Sequence, residues 1–164
     1  MNRRHFISKL GLGATGAWLS RSFVEAADRE SFRFRYMLAS SMYGRLPLQE
    51  ILPEVGKIDS GFIDIWPEVH GDQREQMETL GYDAFERLLE THEVRLGCLT
   101  HYDLGPFRLA PELPIAKRFH CPVIVCGGSG PAGLLGAELK GAVKEFAELM
   151  KPHLELAEAN GVSI

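Results

Sequence analysis

The sequence predicts an α/β fold: a parallel sheet whose strands alternate with helices, forming the leading half, about four βα units, of a larger α/β barrel. Four short apolar runs, Phe34–Ala39, Phe62–Trp66, Leu96–Thr100 and Val123–Cys126, recur about thirty residues apart. Each leads into a polar or glycine-rich loop and then a helical pattern, the signature of parallel strands joined by helical crossovers. A fifth run opens at Asn160-Gly161-Val162-Ser163-Ile164. Completion of that strand, and much of the catalytic equipment, is therefore expected past residue 164.

The elements follow in order. Phe34–Ala39 reads as the first strand and ends in Ser40-Ser41-Met42-Tyr43-Gly44. Leu48, Ile51, Leu52, Val55 and Ile58 come next at helical spacing, with Pro47 suited to a first turn. Pro53 removes one hydrogen bond from that helix and is expected to bend or shorten it. Gly61–Trp66 is the second strand, closed by Pro67. A polar loop over Glu68–Thr79 leads to a helix over Tyr82–Glu93, whose Phe85, Leu88 and Leu89 line one face. Arg95–Thr100 is the third strand, and Leu109–Phe119 a poor helix interrupted by Pro111 and Pro114. Pro122–Cys126 is the fourth strand, running into Gly127-Gly128-Ser129-Gly130. The last helix is the clearest: Leu139, Ala142, Val143, Phe146, Leu149, Met150, Leu154 and Ala157 repeat every three to four residues, and Asn160-Gly161 stops it. Pro152 is expected to kink it. The strands are nearly continuous in apolar residues, as when both faces are covered.

Bulk composition narrows the function classes. With 164 residues and 45% hydrophobic content this is a soluble globular chain of one domain, or part of one. A net charge of -4 gives nucleic acid no electrostatic support. No run of eighteen apolar residues predicts a membrane span. Cys98, Cys121 and Cys126 lack metal or CxxC spacing, so they read as buried small hydrophobes, with a disulfide as the alternative.

Residues 1–27 read as an address. Asn2-Arg3-Arg4-His5-Phe6-Ile7 looks like a twin-arginine export motif; a mildly apolar stretch follows, and Val24-Glu25-Ala26 offers small residues to a signal peptidase. The expectation is a periplasmic protein carried by the twin-arginine translocase. An amphipathic N-terminal helix is the alternative. Removing Met1–Ala26 takes four of the 18 basic and one of the 22 acidic residues, leaving a mature net charge of about -7.

Ligands of parallel α/β folds bind beyond the carboxyl ends of the strands. That selects Ser40, Ser41 and Tyr43; Asp64, Trp66, Glu68 and His70; His101, Tyr102 and Asp103; and the glycine loop. His101, directly after a buried strand, can serve as general base, metal ligand or donor to a substrate oxygen, or simply cap the strand. His70 sits in a freer polar loop, as a second candidate or a solvated side chain. Asp64 lies between Ile63 and Ile65 on the opposite face, where a carboxylate needs a partner. Trp66 can wall a sugar-sized pocket or pack in the core. The glycine loop lacks the spacing of a phosphate or dinucleotide site and reads as flexible.

Gly61-Phe62-Ile63-Asp64-Ile65-Trp66, Arg95-Leu96-Gly97-Cys98-Leu99-Thr100-His101 and the helix end Leu154-Glu155-Leu156-Ala157-Glu158-Ala159-Asn160-Gly161-Val162 resemble the second strand, third strand and strand-five approach of the xylose isomerase-like TIM barrels. That superfamily holds sugar phosphate isomerases/epimerases and endonuclease IV, and the resemblance covers roughly residues 34–164. It implies a TIM-type (β/α)8 barrel domain over residues 33–164, incomplete before the end of strand five. The implied activity is metal-dependent aldose–ketose isomerisation or epimerisation of a sugar or sugar derivative. A divalent ion (Mn, Mg, Co or Zn) is implied, with ligands from strands five to eight, so the present chain alone is expected to be inactive. His70 and His101 match positions of substrate- or metal-contacting histidines, and Asp64 the acidic position of strand two; Trp66 and Glu68 join them as substrate contacts. A non-catalytic carbohydrate-binding barrel is the alternative. An endonuclease IV-like phosphodiesterase is a weaker one, given the acidic charge and the export signal.

Overall fold

The computed structural model describes residues 34–128 and 130–164. The expected export signal over residues 1–27 lies outside them. Four strands form one parallel sheet in the order β1-β2-β3-β4: β1 (Leu38–Ala39), β2 (Phe62–Ile65), β3 (Arg95–His101) and β4 (Ile124–Cys126). Each strand pairs with the next in sequence, without the reversal of order found in doubly wound sheets. Ser163 then makes a parallel bridge to Val123, with its N–H on the Pro122 carbonyl (2.9 Å) and its carbonyl accepting from Ile124 N–H (2.9 Å). The expected fifth run thus begins beside β4, and Val162 is buried.

β1 is shorter than predicted. Phe34, Tyr36 and Met37 are exposed, and ladder pairing reaches only Leu38 and Ala39. An apolar segment at a sheet edge gains little from pairing where it buries nothing. Between strands the chain forms α1 (Leu48–Lys57), α2 (Gln73–Leu80), α3 (Tyr82–Thr91), α4 (Glu112–Arg118) and α5 (Gly136–Ala159). In α1 the predicted face holds: Leu48, Ile51, Leu52 and Val55 are buried. Ile58 instead caps the end and is exposed. Pro47 is the N-terminal cap in extended conformation, and the helix continues through Pro53.

Two predicted irregular segments are helical. α2 occupies most of the expected loop Glu68–Thr79; its buried residues are Gln73, Arg74 and Met77, so no apolar period betrays it. In α4, Pro111 is the N-cap and Pro114 falls in the first turn, where backbone N–H groups have no intrahelical partner to lose.

The core lies between the helices and one sheet face. Ile63, Ile65, Leu96, Leu99 and Ile124 pack with Ile51, Leu52, Val55, Phe85, Leu113 and Ala116, all essentially inaccessible. Each large side chain buried there contributes about 1.5–3 kcal/mol relative to exposure. The α5 stripe departs from expectation. Met150 and Ala157 are buried, whereas Leu139, Val143, Phe146, Leu149 and Leu154 are exposed. The helix runs unbroken through Pro152. Among the described residues no helix of this chain is long and apolar enough to cross a membrane. Cys98 and Cys121 are buried free thiols and Cys126 a half-buried one, as small hydrophobes.

Candidate functional site at the carboxyl ends of the strands

A register shift in the β2–β3 ladder sets the site. Asp64 pairs with Cys98 and Ile65 with Leu99, with the irregularity at Ile63/Asp64 leaving Gly97 as the extra residue on β3. A side chain at Gly97 has no room, since a Cβ there would meet Met37 Sδ at 2.6 Å and Phe62 Cβ at 3.1 Å. The shift brings Asp64, Cys98 and Thr100 together on the sheet face opposite Ile65 and Leu99. The Asp64 carboxylate accepts from Thr100 Oγ1 (2.9 and 3.0 Å to its two oxygens) and from Trp66 Nε1 (2.6 Å). Burial pushes this carboxyl up from its ordinary value, and the hydrogen bonds from Thr100 and Trp66 and the contact with Cys98 oppose the rise. The same burial, with Asp64 alongside, pushes the Cys98 thiol up to about 12. Cys98 is therefore a thiol at neutral pH, with no nucleophilic form to offer.

Asp64 thus anchors Trp66 from below, and the fully buried Ser40, just past β1, anchors it from the side by accepting from Trp66 N–H (3.0 Å). Above this base Trp66 packs edge-to-face with His70 (centroids 5.4 Å, 86°) and with Tyr102 (5.1 Å, 84°). His70 and Tyr102 are themselves 6.4 Å apart at 81°. The three rings, with Pro67, Glu68, Val69 and Asp103, line a cleft of about 300 Å³, at the lower end for a small-molecule pocket. The loop that carries it is strained: Val69 has φ +91° and is 85% exposed. A β-branched residue pays for that conformation, and such outliers cluster at functional sites. Glu75 of α2 receives the Glu68 N–H in both carboxylate oxygens (3.2 Å each), and the Trp66 carbonyl accepts from Arg74 N–H (3.0 Å), so α2 clamps both ends of the loop's first half.

Of the sequence candidates, Trp66, Glu68 and His70 meet in this cleft, and Asp64 lies beneath it. His101 does not line it. Its ladder partner is Cys126, and it shares the parity of Leu99 and Ile65, on the helix-covered side of the strand end. Its Nδ1 bonds Asp103 Oδ1 (2.8 Å), and Asp103 reaches the cleft. That bond with His101 holds the Asp103 carboxyl below its ordinary value, against a small opposing effect of burial. Tyr102 and Asp103 are members that the sequence places after strand three without giving them a role. The signal for Tyr102 is an aromatic residue one position beyond the buried strand, where side-chain alternation returns it to Trp66's face.

Tyr102 and Asp103 also border a second cleft of about 410 Å³, with Phe107, Arg108, Gly127 and Gly128. Arg108 is committed there: its guanidinium donates to the carbonyls of Leu104 and Asp103. Gly127 is fixed by contact, since a Cβ would stand 2.5 Å from the Tyr102 carbonyl oxygen, which accepts Gly127 N–H at 3.2 Å. The start of the glycine loop is therefore a packing device, not a free loop.

The donors do not assemble a metal centre. Among the described residues no three His, Cys, Asp or Glu side chains gather closely enough to hold an ion.

Comparisons agree with the architecture. No family model matches the chain, and no curated protein matches it by sequence. Among solved structures it is similar to the IOLI protein with a binding zinc atom, at TM-score 0.61 and 13% identity, over 80% of this chain and 50% of that one. It is also similar to a xylose isomerase-like TIM barrel protein from Mycobacterium smegmatis in complex with magnesium, at TM-score 0.55 and 11% identity, over 79% and 53%. The chain spans about half the length of these structures. At such identities the likeness is one of fold: a parallel α/β sheet with helices that superposes on about half of a TIM barrel.

Proposed function

We propose that this chain serves a sugar isomerase- or epimerase-like function, binding a sugar or sugar derivative in the Trp66–His70–Tyr102 cleft. The observation that carries the reading is the cleft itself: three aromatic walls, with the carboxylates Glu68 and Asp103, past the ends of parallel strands. Aromatic walls accept the C–H surface of a sugar ring, while polar rim groups bond its hydroxyls. His70 is a group able to hold or move a proton at a ligand hydroxyl, since its ring lines the cleft. The two similar structures hold zinc and magnesium; a divalent ion would polarise the carbonyl in such chemistry. The described residues are assigned only ligand binding and proton handling.

Solvent exchange tests this directly. A protein that carries this chain within a complete barrel, given an aldose and Mn²⁺ in D₂O, is expected to convert it and to place deuterium on the carbon beside the carbonyl, read by proton NMR, whereas residues 1–164 alone are expected to bind the sugar without exchange. The His70→Ala variant is expected to do so at least about 100-fold more slowly. Sugar binding by the complete barrel with neither conversion nor exchange overturns the catalytic half. It would support a non-catalytic carbohydrate-binding barrel.

A further inference from the structure

Resting on that sugar-binding reading, we infer that the cleft takes a neutral or ammonium-bearing sugar and rejects a phosphorylated one. The charged side chains lining it, Glu68 and Asp103, are both carboxylates, and among the described residues no Lys or Arg lines it. Asp64 places a third acidic group one hydrogen bond behind the Trp66 indole. Among the described residues, Arg45 stands outside the lining, 69% exposed, and faces the Glu68 carboxylate at 3.9 Å, while Arg108 spends its guanidinium on two backbone carbonyls beside the other cleft.

Of the backbone donors of this loop, the other means of holding a phosphate, three are spent on its own fold. Glu68 N–H goes to Glu75, Gly71 N–H to the Pro67 carbonyl (3.2 Å) and Arg74 N–H to the Trp66 carbonyl. The first turn of α2 already holds the Glu75 carboxylate against this loop, so the helix terminus has its anion. A phosphate dianion here meets two carboxylates and loses hydration, and among the described lining side chains it gains no permanent cation, with the His70 ring and Tyr102 hydroxyl as donors. An ammonium group meets aromatic faces and carboxylates, which attract it. A neutral ring pays neither penalty.

The chain has two tryptophans, Trp18 and Trp66. In a Trp18→Phe background, indole fluorescence therefore reports Trp66 alone. Titration with D-glucose, D-glucosamine and D-glucose 6-phosphate at low salt compares one ring in three charge states. Glucosamine is expected to bind at least as tightly as glucose, and the phosphate ester about tenfold or more weakly. Added salt and Glu68→Gln are each expected to narrow the gap. Glucose 6-phosphate binding as tightly as glucose overturns the inference and leaves the sugar site standing. Silence towards all three overturns the sugar site itself, and this inference with it.

Discussion

Asp64 shows how one residue sets a site without entering it. Its carboxylate takes the Trp66 N–H and the Thr100 hydroxyl, and so fixes the angle at which the indole meets His70 and Tyr102. The arrangement has a measurable cost. Burial raises the folded-state value above the ordinary 3.8, so the unfolded chain gives up this proton at lower pH than the folded one. The sign follows from linkage: stability is greatest below 3.8 and declines as pH rises through the folded value. Asp64→Asn removes that decline. Thermal melts at about pH 4 and about pH 7 should show the wild type losing ground to the variant at the higher pH. A wild type that gains on the variant with pH would mean that the carboxylate is favoured by its partners more than it is opposed by burial. At neutral pH the variant should also alter Trp66 emission, because the indole loses a charge-assisted bond.

Helix α2 is held by polar groups, and this explains both its stability and its invisibility in the sequence. Gln73 donates to the carbonyls of Gly44 (2.8 Å) and Leu46 (3.1 Å). Arg74 forms a two-pronged pair with Glu112 of α4 (2.9 and 3.0 Å), both side chains being at most 7% exposed. Burial alone would lower the Arg74 value; the hydrogen bonds it donates to Glu112, the charge of Glu112 and that of Glu78 more than reverse this. Glu112→Gln removes the buried one of the guanidinium's two counter-charges, leaving Glu78 at 3.0 Å, and is expected to cost about 3 kcal/mol, read from urea unfolding. A loss below about 1 kcal/mol would show that the pair behaves as a solvated one. Periodicity revealed α1, α3 and α5, because Leu48, Ile51, Leu52 and Val55, or Phe85 and Leu89, are both apolar and buried. It could not reveal α2, whose inward face carries an arginine and a glutamine. Nor could it say that most of the α5 stripe stays exposed among the described residues: amphipathicity marks a face able to be covered, not what covers it. The site divided similarly. Trp66, Glu68 and His70 follow one strand and were legible as a group. The separation of His101 from them depends on the Gly97 register shift, which no local pattern records.

At the scale of the whole molecule, sequential parallel pairing places every strand's carboxyl end on one side, and the candidate residues gather there. The charge balance points the same way as the cleft: the chain is acidic overall, with a net charge of -4. We propose export by the twin-arginine route on the Arg3-Arg4 pair and the residues that follow it. Replacing both arginines by lysine is expected to leave the protein in the cytoplasm, as fractionation and immunoblotting would reveal. Undiminished periplasmic recovery of that variant would remove the proposal.

The contact between Gly127 and the Tyr102 carbonyl has a consequence for how such a chain can diverge. Of the glycines after β4, Gly128 and Gly130 stand in open space and are sterically free to drift, whereas Gly127 is closed to every side chain. A larger residue there would push back the turn that presents Tyr102, and the aromatic wall would shift without any change to its own residues. One hydrogen atom in place of a side chain thus couples the history of the β4 turn to that of the cleft.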